Sequence, residues 1–403
     1  MRVQLQQCAT VTATPRTAWT FAHLSDGEGA DTAVELTLGD RSARVAATLA
    51  ELLAALGGAH LAGERDVAAR LGLARDRLRR DAVLATATSA LRSAVTQLAA
   101  ARAGVSLHRF LGAGPAASVE LYANINRALF ATARTPADFA RAAERAARAG
   151  FRSFKCAPFD EVARSLRDTE DHENGAWSRA GWPPSSDQVT PATAPDRVLG
   201  LAKPGLERTR AVRDAVGAGA RLLVDCHCRF TAATAPPIAE ELAQLGVGWF
   251  EEPVQPHTAA ADLAAIARRV RMPVAGGESG YGRDFFDDLL DREAVSVIMP
   301  DIKHCGGVAE AVRAGHSARE RGGGFSLHSP SGPVSLLAGA HVTAAVPGAL
   351  SLEHAVDEVD WRADLIDPAG RIEAGRMLLP SAPGLGATLD WRSVQRHGRT
   401  WTP

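Results

Sequence analysis

From Ser118 to Val356 the chain repeats one rhythm: a short apolar run, then a longer stretch rich in Ala and Arg. The runs are "SVELYAN", "FRSFKCA", "RLLVDCH", "GVGWFEE", "MPVAGGE", "VSVIMPD", "GFSLHSP" and "LSLEHAV", eight in all. Between them, stretches such as "PADFARAAERAARAG", "GLERTRAVRDAVGAG" and "AAADLAAIARRVR" carry apolar residues at helical spacing. Eight strands joined by crossover helices close into a parallel α/β barrel of about 250 residues. The segment 118–356 has that size. No sequence repeat accompanies the structural one.

Residues 1–117 read as a separate α+β unit. "TAVELTLG" is a strand, and "ERDVAARLGLARDRLRRD" and "AVLATATSALRSAVTQLAAARAG" are helices, the arginines of the first forming a solvated face. The tail, 357–403, has short strand and turn character and is expected to pack back on this first unit. The interval 158–204, rich in Asp, Pro, Ser and Thr, is overlong for a connection. It is either a lid over the barrel mouth or a disordered loop.

A formal charge of −1 across 403 residues argues against a nucleic-acid or membrane-surface binder. No apolar stretch is long enough for a transmembrane helix, and "MRVQLQQCATVTATPR" lacks the apolar core of a signal peptide. Five cysteines, an odd number, do not suggest a disulfide framework. A cytoplasmic protein is expected. The motifs of serine hydrolases, dinucleotide binders and P-loop proteins do not occur.

The ends of the runs carry the chemistry. Asp225, Glu251 and Glu278 fall 26 and 27 residues apart, about one strand–helix unit each. Three carboxylates on one rim repel one another unless a cation sits among them. Hard oxygen ligands suit Mg²⁺. Lys155 ends the second run, Asp301 the sixth, His328 the seventh and Glu353 the eighth. An Asp beside a His orients the ring and raises its basicity, as a general base requires. One Mg²⁺, a His base, a Lys and a Glu on one rim fit removal of the proton α to a carboxylate. In that chemistry Lys155 and a protonated, hydrogen-bond-donating Glu353 would add to the metal's stabilisation of the enediolate.

With "SALRSAVTQLAAARAGVSLHRFLGA", "WFEEP", "AGGES", "MPDIKHCGG" and "PGLG" in this order, the chain resembles the enolase superfamily, mandelate racemase subgroup. "DCHCR", "EEPVQ", "DIKHCGGV" and "HSPSGP" bring it closest to acid-sugar dehydratases such as galactonate dehydratase. The resemblance implies a (β/α)7β barrel with a capping domain built from the N-terminal segment and the C-terminal tail. It implies Mg²⁺ on Asp225, Glu251 and Glu278, an Asp301–His328 base, Glu353 as electrophilic partner, and His227 as the acid that protonates a departing β-hydroxyl. It also implies that the first domain recognises substrate, through the loop "TPRTAWTFAHLSDGEGA", with Arg16, Trp19, Phe21 and His23 as candidates. Racemases of the subgroup carry Lys-x-Lys at the second strand; here the second position is Ala157.

The resulting expectation is a dehydratase that converts a sugar acid to a 2-keto-3-deoxy acid. The partner is a small-molecule carboxylate, and a homo-oligomer is expected. A racemase or epimerase on the same scaffold, or an inactive paralogue, are the alternatives. "VDCHCRF" carries a choice of its own. Strand alternation puts Asp225 and His227 on one face and turns Cys226 and Cys228 toward the packing helices. A bent strand end would instead let the thiols join His227 in a soft-metal clamp.

Overall fold

The computed structural model describes residues 1–165 and 195–403. The chain begins with three antiparallel strands, β1 (Gln4–Thr14), β2 (Thr17–Ser25) and β3 (Asp31–Glu35). Thr14 pairs with Thr17, so Pro15 and Arg16 alone make the turn. The stretch expected as a substrate-covering loop is therefore mostly strand. Its β-branched and aromatic residues fit a pleated, two-sided surface. Trp19 and Phe21 are fully buried in the core shared with the barrel, while Ala22 and Leu24 join the core beneath the first helices.

Five helices follow: α1 (Ser42–Leu56), α2 (Arg65–Arg70), α3 (Arg75–Arg80), α4 (Ala82–Arg102) and α5 (Leu107–Phe110). The single helix expected over 64–81 is split into α2 and α3, because Gly72 adopts a left-handed conformation at φ 59°. Its arginines form the expected solvated face except Arg79, which is half-buried. Arg75 and Arg79 reach Asp284 of the barrel at 3.3 and 2.7 Å. The Asp81 side chain caps α4, accepting from Leu84 N at 3.0 Å. α4 is buried on almost every side. Its Ala, Ser and Thr side chains let sheet and barrel approach it closely.

The barrel strands are β4 (Ser118–Asn124), β5 (Ser153–Cys156), β6 (Arg221–Asp225), β7 (Val247–Glu251), β8 (Val274–Gly276), β9 (Val297–Ile298), β10 (Gly324–Phe325) and β11 (Leu352–Ala355). Each pairs in parallel with the next from β4 to β10, and β11 pairs in parallel with β4. Leu350 N donates to Phe325 O at 2.8 Å and brings the last two strands together. The helices on the outside are α6 (Pro136–Arg148), α7 (Asp160–Ser165), α8 (Pro195–Val216), α9 (Ala235–Gln244), α10 (Ala260–Ala267), α11 (Arg283–Asp291), α12 (Val308–Glu320) and α13 (Pro333–Ala345). Tyr122, Leu223, Trp249, Ala275, Val297 and Met299 fill the barrel interior as one apolar layer. Residues 166–194, most of the expected insertion, lie outside the described residues. The choice between lid and disorder falls there.

The tail adds β12 (Ile366–Asp367), β13 (Ile372–Glu373), β14 (Arg376–Leu378), β15 (Thr388–Leu389), α14 (Trp391–His397) and β16 (Gly398–Trp401). The tail expected to return whole to the first unit divides. The β13–β14 hairpin extends the barrel sheet, antiparallel to β4. The turn around Gly384 hydrogen-bonds to Val105 and Leu107 beside α5, and β16 pairs with β1. No described helix is long and apolar enough to cross a membrane.

Candidate active site

Strand register brings the polar ends together. Asp225 and Glu251 are Cα partners across β6 and β7, and Asn124 and Lys155 are partners across β4 and β5. The side chains form three groups at one end of the barrel.

In the first group, Lys155 lies between Glu251 Oε1 at 2.7 Å and Glu353 Oε1 at 2.8 Å. All three are buried. Burial works against the lysine's charge, but Glu251 and Glu353 outweigh it and raise its pKa well above the usual range. Glu353 was expected as a protonated donor. Here it is an acceptor throughout: from Lys155, from Asn124 Nδ2 at 2.7 Å and from Ser329 N at 2.9 Å. Burial opposes its charge, yet Lys155, His328 and the Ser329 amide hold its pKa below the ordinary carboxylate value.

The second group is the carboxylate set. Asp225, Glu251 and Glu278 each already have a protein partner. Asp225 Oδ2 lies 2.6 Å from His227 Nε2, Glu251 accepts from Lys155 and from Trp249 Nε1 at 3.0 Å, and Glu278 Oε2 lies 3.1 Å from His328 Nε2. Among the described residues, no three His, Cys, Asp or Glu side chains converge in a metal-holding arrangement. The charge is nonetheless crowded. Burial first, then Glu252, Asp225 and Glu251, push Glu278 well above the usual range. Burial, Asp225 and Glu353 do the same to Glu251 against the pull of Lys155. Asp225 goes the other way: His227 and Lys155 overcome its burial and hold it far below. A buried excess of hard anionic oxygens is the donor chemistry of Mg²⁺. The residues present fit such an ion, provided that they exchange their present partners for it.

The third group is a dyad. His328 Nδ1 lies 2.9 Å from Asp301 Oδ2. Asp301 is fully buried; Lys303, His304 and His328 overcome that burial and hold its carboxyl far below the usual range. Lys303 Nζ also donates to Asp301 Oδ2, and its backbone N–H donates to Oδ1 at 2.8 Å.

The strand carrying "VDCHCR" ends at Asp225. His227 and Cys228 both take left-handed backbone conformations, at φ 47° and 57°. Alternation therefore stops before Cys228. Cys226 is in the core as expected, but Cys228 turns to Glu252, its Sγ donating to Oε2 at 3.5 Å. Burial, then Glu252, Glu278 and Asp225, push the Cys228 thiol well above its ordinary pKa. A soft-metal clamp needs a thiolate, which this setting disfavours. Arg229 pairs with Asp160 at 3.3 Å.

The expected substrate contacts scatter. Arg16 is exposed at the β1–β2 turn, its guanidinium 5.7 Å over the Phe130 ring. Trp19 is fully buried beneath Arg362 and Trp361, and Phe21 is in the core. His23 lies 3.5 Å from Asp31 and packs on Trp391. Several residues that touch the rim groups were not foreseen: Asn124, Trp249, Glu252, Lys303 and Ser329. Asn124 ends the first run as Lys155 ends the second, so the strand-end pattern carried its signal.

The barrel, its capping sheet and this rim define the class. Residues 138–393 match the family model described as enolase C-terminal domain-like, and the chain belongs to that family. It is 34% identical over 192 residues to a D-xylonate dehydratase of Haloferax volcanii, covering 48% of this chain and 46% of that protein. It is 31% identical over 185 residues to an arabinonate dehydratase of Saccharolobus solfataricus, covering 46% and 49%. The matched part thus spans about half the length of these relatives. In three dimensions the chain resembles a mandelate racemase/muconate lactonizing enzyme-like protein from Rubrobacter xylanophilus, with a TM-score of 0.79 and 25% identity over 99% of this chain and 97% of that one.

Proposed function

We propose that the protein is a Mg²⁺-dependent dehydratase of a sugar acid, removing the proton α to the carboxylate and expelling the β-hydroxyl to leave a 2-keto-3-deoxy acid. The observation that carries this reading is the Asp301–His328 pair, 2.9 Å apart beside a crowded carboxylate set. With Nδ1 held by Asp301, Nε2 of His328 is the basic nitrogen and takes the α-proton. Asp225, Glu251 and Glu278 would hold the metal, which when bound neutralises charge developing on the carboxylate oxygens as a Lewis acid. Lys155 adds a buried cation at the same rim. His227, 34% exposed and pinned to Asp225, delivers a proton to the leaving hydroxyl. Ala157, buried where racemases carry a second lysine, favours elimination over inversion. The names of the two relatives point to five-carbon aldonates.

The test is incubation with Mg²⁺ and a panel of aldonates and aldarates, D-xylonate and D-arabinonate among them, with keto acid measured as its semicarbazone. Keto acid from at least one is expected. Substrate recovered from D₂O with inverted configuration and no keto acid would favour an epimerase. Neither keto acid nor α-deuterium from any member would overturn the reading.

A further inference from the structure

The backbone just after His328 is held by charged side chains from three distant parts of the chain. Ser329 N donates to Glu353 Oε2 at 2.9 Å, and Arg362 donates to Ser331 O. The third hold comes from the capping sheet. Glu35, the last residue of β3, accepts from Gly332 N at 2.7 Å and from Ser335 N at 3.1 Å. These amides open α13, where helix N–H groups lack partners of their own and favour a carboxylate. Thr37 Oγ1 adds a third donor to Glu35 at 2.8 Å. A Cβ at 332 would stand 2.9 Å from Glu35 Oε2 and 3.1 Å from Phe21 Cζ, so the carboxylate would have to shift to admit one.

Glu35 also faces Lys303, which contacts the other half of the dyad. A cavity of ≈ 20 Å³, room for about one water, is lined by Glu35, Ser335 and Lys303. Burial pushes the Glu35 carboxyl up, and Lys303 is the charge that most opposes it. Lys303 in turn holds both oxygens of Asp301, one through its ammonium and one through its backbone amide. A buried Glu and a buried Lys are costly residues to keep unless each has such partners.

We propose that Glu35 and Lys303 are positioning residues for the Asp301–His328 pair: Glu35 fixes the loop that carries His328, and Lys303 fixes Asp301. The barrel's base then has its working geometry only with the capping sheet docked. The proposal rests on reading Asp301 and His328 as the base, but its structural half stands without that reading.

The test uses the full chain and four variants: Glu35→Gln, Gly332→Ala, Lys303→Met and Lys303→Arg. The first readout needs no substrate. Amide hydrogen exchange over 328–335 is expected to quicken by about 10-fold in Glu35→Gln and Gly332→Ala, with the rest of the barrel unchanged. Exchange equal to the parent's there would overturn the Glu35 half. The second readout is turnover of the best acid from the panel above. In Lys303→Met, kcat is expected to fall by about 10- to 100-fold with KM little changed, and Lys303→Arg to recover most of it. A loss that tracks only the folded fraction, alike in both Lys303 variants, would overturn the Lys303 half. If no acid is turned over, the dehydratase reading fails on its own. The Lys303 half is then decided by exchange over 301–304, which quickens in Lys303→Met and recovers in Lys303→Arg, or is overturned by not doing so.

Discussion

His328 stands between two acids, turning Nδ1 to Asp301 at 2.9 Å and Nε2 to Glu278 at 3.1 Å. Asp301 orients the ring, while Glu278 occupies the nitrogen that would take a proton. A ligand that draws Glu278 away leaves His328 both oriented and free. His328→Asn keeps a polar side chain but no base. Its α-proton exchange in D₂O is expected to fall by about 10²- to 10⁴-fold. Exchange at the parent's rate would remove His328 from that role.

The carboxylate set argues for a cation-dependent stability. Mg²⁺ at about 100 times its dissociation constant should raise stability by about 2.7 kcal/mol. Glu278→Gln, with one anionic oxygen donor fewer, should need more metal for the same gain. Thermal melts in Mg²⁺ and in EDTA test both statements. Coincident melts would count against the ion.

Lys155 lies within ion-pairing distance of both Glu251 and Glu353, the one cation among the described residues that does. Lys155→Met leaves both acids buried without it. Removing one partner from a buried pair costs about 3–5 kcal/mol. Urea unfolding of the metal-free protein should show a loss of that order, and turnover measured separately with Mg²⁺ present should be lost.

Arg92 ties the capping unit to the barrel. It is 7% exposed and reaches Glu64 at 2.5 Å, Glu310 at 3.0 Å and the Tyr281 hydroxyl at 3.3 Å. Arg92→Ala leaves Glu64 and Glu310 to share Arg313, which already pairs with both, so a loss of about 1.5–3 kcal/mol is expected. An unfolding midpoint unchanged from the parent's would show that the network contributes little.

Stability should fall in mild acid. His341 is fully buried; its Nδ1 accepts from His108 N at 3.1 Å, so its Nε2 carries the proton given to Leu385 O at 3.0 Å. Burial lowers its pKa to about 4. The folded state thus favours the neutral ring, and unfolding takes up a proton below the unfolded value of about 6.5. This contribution is complete above pH 6.5 and is lost as pH falls toward 4, on the order of 3 kcal/mol. Urea midpoints between pH 7.5 and 4.5 should drop less in His341→Gln than in the parent. Equal drops would place the acid sensitivity elsewhere.

The barrel and the rim residues were legible because a strand–helix unit has a nearly fixed length. Asp225, Glu251 and Glu278 recur at that interval, and the structure brings Asp301 and His328 into contact from neighbouring strand ends. Where the chain leaves that period, legibility fades. "TPRTAWTFAHLSDGEGA" begins and ends in turn-forming residues, which obscured the strand between them. Cys228 was misplaced because two left-handed residues end the alternation. The protonation of Glu353 depends on Lys155, Asn124 and Ser329 meeting at one point, and no local pattern states that. Glu35 reaches Gly332 across 297 residues of chain, a contact set by how two domains dock.

Helix α4 has a consequence for how this chain can drift in evolution. At Gly307 an added methyl would meet Ser89 O and Ser93 Oγ, each at 2.8 Å. The Ser89 and Ser93 hydroxyls accept from Gly306 N and Val308 N, two steps past the turn that carries Lys303. Where α4 meets the Gly306–Val308 turn, the spacing between cap and barrel is thus set by two serines and a glycine. Bulk gained at this contact would go into the distance between the two domains. Replacements there should be rarer than on either domain's outer faces, and those that survive should come in compensating pairs, one side shrinking as the other grows.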